Sequence, residues 1–212
     1  MFKEKLKKQR VHVGCGPHNI KKDWWNVDSI AFPGVDDVLD VTKKWDFNNL
    51  EYIYAEHFLE HLEFDDALAF LCKAGNSLKQ GGIMRLSMPN LSWVLKTHFD
   101  TGKNVGDKKR AIDTIVINRA FHGWQHKFLY TKELLKEILS EAGFEDITFH
   151  LYGESNIAEL KNLENHGDFS VCDGEPSVII VEAKKGSRNI KIPSSLYDFL
   201  YEQFISHVKF GH

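Results

Sequence analysis

Gly14-Cys15-Gly16 closes a short alternating run, Arg10-Val11-His12-Val13, and Asp28 follows Gly16 by twelve residues. Glycines at a strand end let a ligand approach the backbone closely. A dinucleotide fingerprint is excluded because Asn19 stands where the third glycine belongs, and no G-K-[ST] follows to cradle a triphosphate. What remains is a ligand with a ribose but no pyrophosphate. Asp28, closing a second strand, can accept hydrogen bonds from both ribose hydroxyls, and Asp40, closing a third, can meet an adenine amino group. A cationic ligand suits this acidic rim better than a phosphate does.

Histidines supply the other chemistry. His57-Phe58-Leu59-Glu60-His61 matches H-x-x-E-H, in which two imidazoles one helical turn apart hold Zn²⁺ beside a glutamate. A zinc hydrolase through His57, Glu60 and His61 would still need a third ligand, so no metal is assigned. The alternative places Glu56 and His57 at the end of a fourth strand, lining a cofactor or substrate pocket. Glu60 and His61 then begin the next helix and fix the loop. Two more histidines, His122 and His126, stand among aromatics in Phe121-His122-Gly123-Trp124-Gln125-His126.

The elements that must position these residues follow from periodicity and punctuation. Strands are predicted over 10–13, 24–28, 37–40, 52–55, 83–88, 144–151 and 177–183. A helix is predicted over 56–79, with Phe64, Ala67, Leu68, Leu71, Ala74 and Leu78 on one face and Gly81-Gly82 at its end. Two further helices fit 92–100 and 108–120. Thr131 caps another, striped by Leu134, Leu135, Ile138, Leu139 and Ala142 and closed by Gly143. Strands alternating with helices argue an α/β sheet with helices on both faces.

In this setting the run VHVGCGPHNIKKDWWNVDS resembles the opening of a class I S-adenosylmethionine-dependent methyltransferase. More narrowly it is similar to short bacterial and phage members of the methyltransferase type 11-like group. The likeness continues through Leu39-Asp40-Val41, His57-Phe58-Leu59-Glu60-His61, Leu78-Lys79-Gln80-Gly81-Gly82, His126 and Ala142-Gly143-Phe144, spanning about residues 10 to 185. It implies a Rossmann-like, seven-stranded, mostly parallel sheet with an antiparallel last strand. It also implies S-adenosyl-L-methionine as cofactor, held by Gly14, Cys15, Gly16, Asp28, Asp40, Val41, Glu56 and His57. Methyl transfer from a sulfonium needs alignment and exclusion of water. A hydroxyl acceptor, on a small molecule or a sugar, needs a base as well, and His126 or His122 is the expected one. The chain departs from the pattern in three places: His12 replaces an acid, Gln80 replaces a proline, and the third glycine is missing. The loss at His12 keeps a second reading open, a non-catalytic nucleotide-binding or scaffold protein with the same fold.

Composition bounds the rest. The chain has 212 residues, 42% hydrophobic and 27% charged, which is ordinary for a globular domain and excludes a disordered or fibrous chain. A net charge of -3 argues against a nucleic-acid partner. No apolar run spans a membrane and the basic N-terminus lacks the apolar stretch of a signal peptide. Three dispersed cysteines fit a reducing, cytoplasmic setting. The organisation expected is a basic tail over 1–9, one domain over 10–185 and an amphipathic helical extension over 186–212. The stripe Leu196, Phe199, Leu200, Phe204, Ile205 and Val208 of that extension is expected to cover the domain or to form a homodimer, its polar face being poor in lysine.

Overall fold

The computed structural model describes residues 9–166 and 169–193 together with residues 198, 202, 207 and 208. The strands are β1 (Arg10–Val13), β2 (Trp25–Asp28), β3 (Asp37–Val38), β4 (Leu50–Glu56), β5 (Leu78–Pro89), β6 (Phe144–His150), β7 (Val171–Cys172), β8 (Glu175–Pro176) and β9 (Val178–Lys185). The helices are α1 (Phe64–Ser77), α2 (Leu91–His98), α3 (Asp107–His122) and α4 (Lys132–Ala142). Seven strands form one sheet in the order β3-β2-β1-β4-β5-β9-β6. All its pairings are parallel except those of β9, which runs antiparallel to both β5 and β6. This is the expected Rossmann-like sheet. Strand order turns at β1, which pairs with β2 on one side and β4 on the other. Ligands of such sheets bind beyond the strands' carboxyl ends at that switch point. A small β7–β8 hairpin lies in a stretch that reads as loop in the sequence.

Because strand side chains alternate between faces, each strand contributes to two different environments. On one face Val11, Val13, Ile53, Ala55, Met84, Leu86, Ile179 and Val181 meet α1 and α4 in the main core. Each valine, leucine, isoleucine or methionine among them contributes about 1.5–3 kcal/mol on full burial. The ends of α4 are set locally. Thr131 Oγ1 accepts a hydrogen bond from the Leu134 amide at 3.2 Å, and Gly143 closes the helix with φ of 106°. Thr131→Ala should therefore cost about 1 kcal/mol. In urea this would appear as a lower midpoint with an unchanged slope.

The opposite face is polar and buried, with His12, Asn26, Tyr54, Arg85 and Glu182. It is covered by residues 151–166, where Leu160 and Leu163 close on Trp24 and Tyr54. Arg85 Nε donates to Glu164 at 2.8 Å and a terminal guanidinium nitrogen donates to Glu182 at 2.5 Å. Among the described residues the helical part of this cover is the 3₁₀ turn Ala158–Leu160. Residues 14–24, which join β1 to β2, are too few for a packed crossover helix there.

The helix expected over 56–79 is shorter. β4 runs on to Glu56, His57 takes a left-handed φ of 47°, and Leu59–His61 form a 3₁₀ turn before α1 begins at Phe64. The apolar stripe persists only through Ser77, and Leu78 is already extended, so Gly81-Gly82 do not close the helix. They sit inside β5, where Gly81 has φ of 79° and the register against β4 shifts between Leu50 and Tyr52. β3 stops at Val38, which leaves Asp40 in the following turn. Of the expected tail over 1–9 and helical extension over 186–212, residues 1–8 and most of 194–212 lie outside the described residues; residues 186–193 are described and are not helical, with Ile190 buried in the main core. No described helix is long and apolar enough to cross a membrane.

Candidate functional site

Beyond the carboxyl ends of β1, β2 and β4 lies a cavity of about 730 Å³. Its floor is the glycine loop. Gly14 has φ of 64° and a Cβ there would sit 2.7 Å from Phe58 Cδ2, so neither its backbone nor its space admits a side chain. Gly16 has φ of 57° and nothing within 4 Å of a Cβ position, which leaves its backbone open to a ligand. The loop is tied down by the Gly14 amide on the Val27 carbonyl at 2.9 Å and by the Gly16 amide on Asp28 Oδ2 at 2.9 Å. Asp28 Oδ1 accepts from the Ile30 amide at 3.0 Å. Each oxygen of Asp28 thus fixes a backbone amide and keeps lone-pair capacity for a further donor.

Gly14, Gly16, Asp28, Asp40, Val41 and His57 line this cavity as the sequence suggests. Asp40 is not free, however. Its carboxylate accepts from the Thr42 hydroxyl at 2.6 Å and amide at 3.0 Å and pairs with Lys43 at 2.9 Å. These contacts, the Thr42 hydroxyl first, hold its pKa down at about 2.

Four expected site residues do not line the cavity. Cys15 is buried, and desolvation followed by the Asp28 charge pushes its thiol up to about 11. Glu56 turns to the chain crossing the other face. Its carboxylate accepts from the Asn165 and His166 amides at 2.9 and 3.2 Å and from Asn19 Nδ2 at 2.6 Å. Burial alone would raise the Glu56 pKa, but the His166 and Asn165 donors outweigh it and hold it at about 2. His122 is the exposed last residue of α3. The turn after it, with Gln125 at φ of 63°, brings Trp124 and Gln125 to the cavity, and the His126 ring faces the Ala120 carbonyl at 2.7 Å.

The imidazoles that do reach the cavity are His57 and His61. His57 Nδ1 lies 3.1 Å from Glu60 Oε1, and its Nε2 is buried without a hydrogen-bond partner. Burial is the largest influence on His61 and lowers its pKa, with Glu60 opposing and the His126 charge adding. The H-x-x-E-H pattern does not make a helical zinc site, because the left-handed His57 breaks the helix its spacing requires. The two histidines belong to different groups, Glu56-His57-His166 and Glu60-His61-His126. His12, standing in place of the expected acid, is fully buried and stacks on Tyr54 at 4.9 Å. Desolvation and then Lys21 lower its pKa to about 4, so it stays neutral and out of the cavity. Sequence reasoning missed Phe58, Trp124 and Gln125 as lining residues; the 61% exposure of Trp124 is a signal visible only in three dimensions.

No protein-family model matches the chain, and no curated protein does. Solved structures do match it. A SAM-dependent methyltransferase from Archaeoglobus fulgidus superposes with a TM-score of 0.54 at 18% identity, over 87% of this chain and 93% of that one. An S-adenosylmethionine-dependent methyltransferase from Clostridium acetobutylicum gives 0.51 at 12% identity, over 87% and 89%. Phosphoethanolamine N-methyltransferase 2 from Haemonchus contortus, in complex with S-adenosyl-L-methionine, gives 0.52 at 12% identity, over 84% of this chain and 48% of that one. The chain has the class I S-adenosylmethionine-dependent methyltransferase fold.

Proposed function

We propose that this protein is an S-adenosylmethionine-dependent methyltransferase acting on a hydroxyl of a small molecule or sugar. The observation that carries the reading is the cavity at the strand-order switch. It combines an open Gly16 backbone and the Asp28 carboxylate with three further lining acids, Asp40, Glu63 and Asp66, and no lining lysine or arginine among the described residues. A diphosphate would meet repulsion there, whereas a ribose and a sulfonium are matched.

The cofactor, when bound, supplies a methyl group on a positively charged sulfur. Asp28 is positioned to receive the ribose hydroxyls, and the acidic rim favours the cation. Of the two imidazoles that line the cavity, His57 is taken as the base for the acceptor's proton, with Glu60 beside its Nδ1 to balance the imidazolium formed. The acceptor's O–H proton would pass to His57 as its oxygen takes up the methyl group that the cofactor would supply. The base is assigned to His57 rather than to the expected His126 or His122 because neither of those lines the cavity.

S-adenosylhomocysteine should raise the melting temperature, whereas NAD and ATP should not. At 100 times its dissociation constant a ligand adds roughly 2.7 kcal/mol, well within a thermal scan's reach. Stabilisation by NAD alone would sink the reading. Binding of S-adenosylhomocysteine with no methyl transfer to any hydroxyl acceptor would favour the non-catalytic scaffold instead.

A further inference from the structure

Beyond its place beside His57 Nδ1, Glu60 is a buried side chain whose carboxylate is not satisfied. It is fully buried in the 3₁₀ turn that precedes α1, and neither carboxylate oxygen accepts a hydrogen bond. An ionised carboxylate in that condition carries a large desolvation cost unless a cation balances it. His57 stands near one oxygen, Oε1. Two more imidazoles converge on the same place: ligand atoms of Glu60, His61 and His126 all lie within 4.8 Å of one another.

The backbone builds this convergence. The Glu60 carbonyl accepts from the Lys127 and Phe128 amides at 2.7 and 3.2 Å, which fastens the segment carrying His126 to the turn carrying Glu60 and His61. The Ala120 carbonyl can only accept, so the His126 nitrogen facing it, Nδ1, is the protonated one. Its Nε2 is left with a free lone pair. Metal-binding histidines are ordinarily oriented in this way, with the second ring nitrogen on a carbonyl or carboxylate.

We infer that Glu60, His61 and His126 hold a divalent first-row cation of the Zn²⁺ type at the edge of the cavity. Two imidazoles and one carboxylate suit such a metal better than Mg²⁺ or Ca²⁺, which prefer oxygen ligands. Three protein ligands leave a coordination position open, and His61 places it on the cavity wall. What the cation does there rests on the methyltransferase reading: it binds the acceptor's oxygen and orients it toward the methyl carbon. The neighbouring group, Glu56-His57-His166, is not an equivalent site. Its carboxylate is already saturated by two backbone amides and Asn19, and the His166 ring lies 3.4 Å from it.

The test is calorimetric titration of the chelator-treated full chain with Zn²⁺ alone, so its readout does not depend on turnover. One site per chain is expected. His126→Gln should weaken it at least tenfold, and His166→Gln should leave it unchanged. A thermal scan of each variant shows that it is folded. No binding to the folded protein, full affinity in His126→Gln, or loss in His166→Gln would each overturn the inference. Stabilisation by S-adenosylhomocysteine, measured on the same samples, bears only on the methyltransferase reading, so the two can fail independently.

Discussion

Asp28→Ala is expected to lower the affinity for S-adenosylhomocysteine by at least tenfold and to loosen the loop that forms the cavity floor. The carboxylate acts twice. Toward the proposed ligand it would offer two charge-assisted hydrogen bonds, each worth about 1.5–3 kcal/mol. Toward the protein it holds the Gly16 and Ile30 amides, at 2.9 and 3.0 Å. Asp28→Asn separates these roles, because an amide retains one acceptor oxygen and places a donor against the other partner. Titration calorimetry should rank wild type above Asp28→Asn and Asp28→Asn above Asp28→Ala. Equal affinity in all three would mean that the ribose lies elsewhere.

The largest effect on stability is expected at Arg85, whose side chain is fully buried between Glu164 and Glu182. Arg85→Ala takes the guanidinium from two buried carboxylates, leaving Glu164 the Gly153 amide at 3.3 Å and Glu182 the His150 ring at 3.1 Å. Breaking a buried ionic group from one side costs about 3–5 kcal/mol. For a chain of this size that corresponds to a melting temperature lower by on the order of 10 °C. The comparison that isolates the cause is a triple substitution, Arg85→Met with Glu164→Gln and Glu182→Gln, which removes every charge of the group. It should recover more than 1 kcal/mol relative to Arg85→Ala, in line with the near-neutral cost of replacing a whole buried ion pair. If the triple variant is the less stable of the two, lost packing rather than stranded charge governs the site.

These two residues mark how far the sequence could be read. Gly14, Gly16 and Asp28 were legible because their roles are local: a left-handed turn at the end of one strand and an acid at the end of the next. The bounds of α4 were legible for the same reason, Thr131 and Gly143 being signals within a turn of the helix they close. Arg85 carried no signal, since a lone arginine in a strand looks like a surface residue until Glu164, seventy-nine positions later, is brought to it. Glu56 failed likewise, being claimed by amides more than a hundred residues away. His57 lines the cavity, but the helix drawn through it ignored that H-x-L-E-H has helical spacing without being helical. His126 does not line the cavity because one carbonyl, that of Ala120, decides where its ring points.

The placement of β9 bears on how the protein is made. It leaves the ribosome after β6 yet lies between β5 and β6. During synthesis, therefore, β5 presents an unpaired edge beside Leu86 and Met88, and β6 has no neighbour at all, until residues 178–185 have emerged. A nascent chain paused near residue 170 carries an apolar face with an open strand edge, the form of intermediate most prone to pair with another copy. The final strand acts as a wedge that completes the sheet from within, so shortening the chain before Val178 would leave an aggregating product rather than a smaller folded domain.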